Sequence, residues 1–478
     1  MPVPSRPRRL LTAALPAVAA VTLTACNASY PNSIFHSNTD FNRDVGVLWT
    51  ILLWLGTAVF IFVEAILLYA IFRFRRRSAN DRPEHVHGNT TLEILWTAIP
   101  ALILVFIAVP TVRTIFKTQA KAKADALQVE VIGHQWWWEF RYPQYKITTA
   151  NELYLPVGRT VNFTLRTQDV LHSFWIPQMG GKRDLIANHP NYLWFTPDSV
   201  GEQAWNGFCA EYCGASHANM KFRAFTVTPA QFEAWAAHQA SPAVFGAVAP
   251  AGAAGTTAPG AAPAAPQGVG AAGTPTDTTR GPASSAAQQA QVAAGAAGTT
   301  GPGSTVQAPN SAQAAGGANR TDGQNGAAPA AATVRQAGYV QFPIEKLPAH
   351  VIPRTPVPAA LKYNDALVGD AERGRALVSA GQGGCIGCHM ISGNPMAMGV
   401  IGPNLTHVGS RSTIAGGLFP NDTRHLARWI KNARAMKPGV QMFTLGKGEY
   451  DPVTKATVPM GLTDEQIADI VAYMQALK

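Results

Sequence analysis

Between Cys209 and Met220 the sequence reads CAEYCGASHANM, which places two thiols, a carboxyl, an imidazole and a thioether within one short segment. Soft sulfur donors together with imidazole suit copper in electron-transfer sites. A mononuclear site of that kind uses one cysteine. A second thiolate four residues on lets both sulfurs bridge two metal ions, and a second imidazole must then come from elsewhere in the fold. His172 in DVLHSFWIP, at the end of a strand in the same region, is the best candidate. Glu211 sits between the cysteines, where its backbone carbonyl can reach a metal while its carboxylate points away. A zinc site using only Cys and His, and a Cys209–Cys213 disulfide, compete with this reading.

A second constellation is Cys385-Ile-Gly-Cys388-His389. The spacing is that of covalent c-type haem attachment, in which both thiols form thioethers and the adjacent histidine ligates iron. A low-spin electron-transfer haem needs a sixth ligand, and methionine raises the potential to suit a carrier. Met442, on the Pro/Gly loop MKPGVQMF, is favoured over Met460, which lies almost at the cap of the final helix.

These groups need elements to hold them, and 478 residues carrying a net charge of +10 imply several modules. Much of the basic excess lies at the N-terminus and in one loop between apolar segments. It therefore reads as membrane topology, with no nucleic-acid partner. Five cysteines cannot form a complete disulfide framework, and Cys26 stands apart from the two pairs. Residues 1–25 join an arginine-rich start to an apolar run too short to span a bilayer, the pattern of a signal peptide. The LTAC ending resembles a bacterial lipoprotein cleavage box, which makes Cys26 a lipidation candidate.

Residues 38–122 are expected to form a transmembrane helical hairpin, with helices at about 47–72 and 92–112. The arginine cluster in RFRRRSANDRPEHVHGN between them belongs on the cytoplasmic side, so both outer flanks face outward. From 126 to 230 the pattern turns to alternation, as in Leu127, Val129, Val131 and in Val161, Phe163, Leu165, which predicts a small β-sandwich or barrel. Residues 240–340 are almost wholly Ala, Gly, Pro, Thr, Ser and Gln, a flexible linker that cannot bury a core. Its random-coil span is on the order of 50 to 60 Å. Order returns for a domain over 365–478. There Thr463 and Gln466 form a capping box, with Ile467, Ile470, Val471 and Met474 on one helix face.

The run CAEYCGASHANM, with GHQWWWEF, DVLHSFWIP and two preceding apolar helices, resembles subunit II of the haem-copper cytochrome c oxidases over about Asn38 to Pro229. That resemblance implies a cupredoxin-like β-domain holding a binuclear copper A centre, with two copper ions bound by His172, Cys209, Glu211 through its carbonyl, Cys213, His217 and Met220. It implies that the Glu211 carboxylate helps ligate a magnesium ion shared with subunit I. It also implies that Trp136 is the surface aromatic residue through which electrons enter, and that Glu93 stands at the cytoplasmic mouth of a proton pathway. The segments CIGCH, IGPNLTHVGSR and KPGVQM resemble the cytochrome c module fused to caa-type oxidase subunits. They imply an all-α class I cytochrome c domain with one haem c on Cys385, Cys388, His389 and Met442, and with the Pro403 carbonyl orienting the histidine.

The expectation is a multidomain membrane protein of the bacterial plasma membrane, with its copper and haem domains on the periplasmic face. The resemblance implies electron transfer from a c-type cytochrome or cytochrome bc complex through the covalent haem c to copper A and on to subunit I of an oxygen-reducing, proton-pumping oxidase that also contains subunit III. An electron-transfer subunit of a nitric oxide reductase is the alternative. A free electron-shuttle or copper-delivery lipoprotein is disfavoured by the two membrane helices and Glu93, and a quinol oxidase subunit by the copper ligands.

Overall fold

The computed structural model describes residues 32–78, 82, 85, 87–120, 122, 124–198, 203–243, 342 and 347–478. The expected signal peptide, Cys26 and almost all of the expected linker lie outside the described residues.

Two long helices come first, α1 (Asp40–Arg73) and α2 (Thr90–Gln119). Both are long and apolar enough to cross a membrane, and their apolar side chains are exposed along much of their length. At 1.5 Å per residue they reach about 50 and 45 Å, beyond a hydrocarbon core of about 30 Å. The surplus is polar and structural. α1 starts at Asp40, ahead of the apolar run, because Thr39 accepts from the Asn42 amide and donates to the Met179 carbonyl. Asp40 Oδ1 accepts from Thr196 N at 2.8 Å, which ties the helix start to the β-domain. α2 is capped by Asn89 and keeps Pro100 and Pro110 inside its run.

The β-domain is a sandwich of two five-stranded sheets. One sheet holds β1 (Leu127–His134), β2 (Trp137–Tyr142), β3 (Ile147–Ala150), β5 (Val161–Thr167) and β8 (Asn191–Phe195), ordered β3-β2-β1-β5-β8. The other holds β4 (Glu152–Pro156), β6 (His172–Trp175), β7 (Arg183–Leu185), β9 (Gln203–Cys209) and β10 (Lys221–Val227), ordered β4-β10-β9-β6-β7. β1 pairs with β5, and β10 with β4, in parallel; the other pairings are antiparallel. This mixed two-sheet sandwich is cupredoxin-like.

The alternation read from the sequence supplies its core. Leu127, Val129 and Val131 face inward, as do Val161, Phe163 and Leu165. Trp138, Phe140, Phe174 and Phe222 meet between the sheets with ring centroids 5.1–5.8 Å apart. α3 (Pro229–Ala240), opened by a Thr228/Gln231 capping box, packs Trp235 on Tyr142 and Tyr154.

The C-terminal domain is built on α4 (Ala371–Ser379), α5 (Cys385–Cys388), α6 (Thr423–Lys431), α7 (Ala433–Met436) and α8 (Asp464–Ala476). α8 carries the expected Thr463/Gln466 capping box and buries Ile467, Ile470, Val471 and Met474. The all-α expectation omitted two short ladders, β11 (Thr413–Ile414) with β12 (Phe419–Pro420) and β13 (Tyr450–Asp451) with β14 (Ala456–Thr457). The first arises because Ala415, Gly416 and Gly417 all take positive φ and fold the chain back on itself.

Candidate metal and haem sites

Strand pairing assembles the sulfur cluster. β6 lies beside β9 with Phe174 opposite Cys209, so His172 and Cys209 come together at one end of the sheet. The chain then loops outward through residues 210–220 and returns as β10, closed by Cys209 N donating to the Met220 carbonyl at 3.0 Å. Within that loop, Cys209 Sγ and Cys213 Sγ stand 3.7 Å apart, unbonded, far beyond the roughly 2.05 Å of a disulfide. His172 Nδ1 is 3.8 Å from Cys209 Sγ, and His217 Nδ1 is 3.6 Å from Cys213 Sγ. Met220 Sδ lies 3.8 Å from Cys213 Sγ, and the Glu211 carbonyl 3.2 Å from Cys209 Sγ. All six expected ligands therefore converge. One imidazole stands beside each thiol, with the thioether adding a donor near Cys213 and the carbonyl one near Cys209. This donor set fits a pair of copper ions bridged by two thiolates better than a single tetrahedral zinc.

The electrostatics point the same way. The Cys213 thiol lowers Cys209 to about 3, with further help from His172. Cys213 is pushed up in turn by Cys209 and by burial. Two adjacent buried thiols cannot both ionise unaided, and bridging cations remove that conflict.

Three supporting residues, Asp169, Gln135 and Gly133, were not singled out from the sequence. Asp169 Oδ1 accepts from His172 Nε2 at 2.8 Å, and Asp169 Oδ2 accepts from Gln135 N at 2.7 Å. Burial opposes charge on His172, but hydrogen bonds to Asp169 and Cys209 outweigh it and raise the imidazole. The contact fixes which ring nitrogen carries the proton and leaves Nδ1 facing the sulfurs. Gly133 makes room for the ring, since a Cβ there would stand 2.7 Å from His172 Cδ2. Gln135 Nε2 and Trp136 Nε1 both donate to the Cys213 carbonyl, at 2.8 and 2.9 Å.

At the haem motif, Cys385 and Cys388 are free thiols at the two ends of the single-turn α5, and His389 follows in extended conformation. His389 Nδ1 donates to the Pro403 carbonyl at 2.7 Å, which leaves Nε2 bare for a metal. Burial lowers the His389 imidazole, favouring the neutral form that ligates iron. Met442 is half-buried, whereas Met460 is 88% exposed.

Trp136 was expected at a surface and is 8% exposed, because the C-terminal domain covers it. Lys437 Nζ donates to the Trp136 carbonyl at 2.6 Å and to the Ala415 carbonyl at 3.0 Å. A Cβ on Gly439 would stand 2.8 Å from the Trp136 ring, so glycine permits this approach. Neighbouring contacts continue the seam. Ser216 Oγ donates to the Pro438 carbonyl, Lys221 N to the Gly416 carbonyl, and Arg223 Nη2 to the Gly417 carbonyl at 3.0 Å. Glu152 Oε1 accepts from Ser412 N at 2.7 Å, Ser412 Oγ at 2.6 Å and Thr413 N at 3.3 Å. Burial pushes the Glu152 carboxyl up and lowers Lys437 to about 7 and Arg223 to about 10. Of the aromatic neighbours, Trp138 is buried in the sandwich core, and Trp137 stacks on His134 at 4.0 Å. Glu93 lies exposed in the first turn of α2.

Three family descriptions match in order along the chain. Cytochrome c oxidase subunit II, transmembrane domain, matches residues 36–114; its periplasmic domain matches 146–227; and cytochrome c matches 371–478. Cytochrome c oxidase subunit 2 of Alkalihalophilus pseudofirmus is 41% identical over 183 residues, covering 37% of this chain and 53% of that protein. The probable cytochrome c oxidase subunit 2 of Rickettsia bellii is 31% identical over 207 residues, 39% of this chain and 76% of that protein. Quinol oxidase subunit 2 of Bacillus spizizenii is 34% identical over 194 residues, 39% of this chain and 60% of that protein. The chain thus spans about half the length of the first of these relatives.

Proposed function

Because the chain belongs to the cytochrome c oxidase subunit II family and ends in a cytochrome c domain, we propose that it is the electron-accepting subunit of a terminal oxidase in a bacterial inner membrane. It takes electrons from a c-type cytochrome or a cytochrome bc complex on the periplasmic face. It delivers them to subunit I, where oxygen is reduced to water with proton pumping, in a complex that includes subunit III. The observation that carries this reading is the convergence of two thiols, two imidazoles, a thioether and a carbonyl on one buried cluster. A copper-free quinol oxidase subunit has no use for that set.

The copper pair and the covalent haem supply one-electron redox chemistry when bound. The rest falls to the chain's own residues. Cys209, Cys213, His172, His217, Met220 and the Glu211 carbonyl would hold the copper pair, and Asp169 holds His172 in the tautomer that presents Nδ1 to the sulfurs. Cys385, Cys388, His389 and Met442 would hold the haem, with the Pro403 carbonyl orienting the histidine. Trp136 would carry electrons towards the copper site, and its indole N–H donates to the Cys213 carbonyl. The Glu211 carboxylate would help hold a magnesium ion shared with subunit I, and a lipid on Cys26 would add a second hold on the membrane.

Glu93, at the cytoplasmic start of α2, feeds protons towards subunit I. Glu93→Gln is expected to slow proton-coupled reduction of the oxidase, with copper and haem spectra unchanged; full turnover in that variant counts against the assignment. The test of the whole reading is purification of the native membrane complex. A haem a subunit with cytochrome-driven oxygen uptake is expected, whereas a nitric-oxide-reducing partner without oxygen uptake would replace the reading.

A further inference from the structure

The contacts over Trp136 bury charge, and buried charge is costly unless its partners are in place. Glu152, Arg223 and Lys437 are 4%, 3% and 1% exposed, and each makes at least one hydrogen bond to a group of the other domain, Arg223 also reaching the Phe222 carbonyl and Lys437 the Ala415 carbonyl on their own sides. Glu152, on β4, receives two backbone N–H groups and a hydroxyl from Ser412 and Thr413. Arg223, on β10, reaches the Gly417 carbonyl and, at 2.8 Å through Nε, the Val351 carbonyl. Lys437, in the loop that leads to Met442, reaches back to the Trp136 carbonyl. An incidental touch between tethered domains leaves such groups in water. Each of these three is buried with at least one partner across the seam.

We propose that Glu152, Arg223 and Lys437 form a latch that seats the chain's own haem domain over Trp136, so that this domain alone serves the electron-input face of the copper domain. The inference deepens the electron-transfer reading and rests on it. Its occupant is the segment 411–439, whose Pro438–Gly439 turn lies on Trp136 and Ser216. Trp136 in turn is joined to the Cys213 carbonyl. An external donor of the c-type cytochrome class therefore meets the haem domain first and has no direct contact with Trp136 while the latch is closed. Glu152, Arg223 and Lys437 are positioning residues, since none of them touches a donor sulfur or imidazole nitrogen.

The test uses the full chain, loaded with copper and haem, as wild type, Glu152→Ala and Lys437→Leu. Hydrogen exchange reads the latch itself. The amides of Ser412 and Thr413 are expected to be protected in wild type and to exchange at least about tenfold faster in Glu152→Ala. Peptides from 127–134 and 464–476 should keep their protection, which separates unlatching from unfolding.

Single-turnover reduction by a small soluble c-type cytochrome reads the consequence. In wild type, copper reduction should lag haem reduction. In either variant, copper reduction should begin in parallel with haem reduction as Trp136 becomes accessible. Unprotected 412–413 amides in wild type, equal exchange in Glu152→Ala, or parallel copper reduction in wild type each overturns the latch. Complete failure of electrons to reach copper in every chain instead counts against the electron-transfer reading.

Discussion

Asp169 shows how one side chain sets the properties of a donor it only touches. Its carboxylate accepts a hydrogen bond from His172 Nε2–H at 2.8 Å and so presents Nδ1 to Cys209. Asp169→Asn keeps the size but offers an amide, which matches the imidazole less well. Copper affinity is expected to fall about 10- to 100-fold, measured by competition of the loaded chain with a chelator; unchanged affinity removes Asp169 from the site. Met442 is the corresponding question at the haem. Met442→Ala should abolish the sulfur-to-iron charge-transfer band of the oxidised haem, and Met460→Ala should leave it intact. The opposite pair of results moves the axial ligand to Met460. The convergence of the six donors was legible because five of them lie within one short segment and the sixth at a strand end. Asp169 was within reach of the same reading, three residues ahead of His172. Gln135 was not, because its bond to the Cys213 carbonyl joins residues 78 apart.

Among the elements, those with a strong period or long apolar run were readable. The alternation in β1 and β5 and the capping box of α8 sit where their patterns placed them. The start of α1 at Asp40 was not readable from hydropathy, since Thr39 and Asp40 are fixed by partners in the β-domain. The β13–β14 turn supports a further test. Burial opposes ionisation of Asp451, but the Val453 and Thr454 amides and Arg434 outweigh it and hold the carboxyl below its ordinary value of 3.8. A depressed carboxyl contributes stability that is present above about pH 3.8 and lost as pH falls through the folded-state value. Asp451→Asn should therefore melt lower than wild type near neutrality, with the gap closing in acid. Thermal unfolding of the full chain followed at the haem bands reads this, and a gap independent of pH contradicts it.

At the scale of the molecule, two membrane helices, a β-sandwich carrying the sulfur cluster and a cytochrome c domain share one chain. The sequence shows these modules. It does not show the seat, because Glu152 and Ser412 are 260 residues apart and their pairing exists only once both domains have folded.

The whole account depends on two copper ions sharing the sulfurs of Cys209 and Cys213. The most direct measurement is electron paramagnetic resonance of the purified full chain, with copper and haem quantified in the same sample. Two coppers and one haem per chain, with the multiline hyperfine pattern of one unpaired electron spread equally over two copper nuclei, is the predicted result. A single-copper spectrum, or zinc with no copper signal, contradicts it.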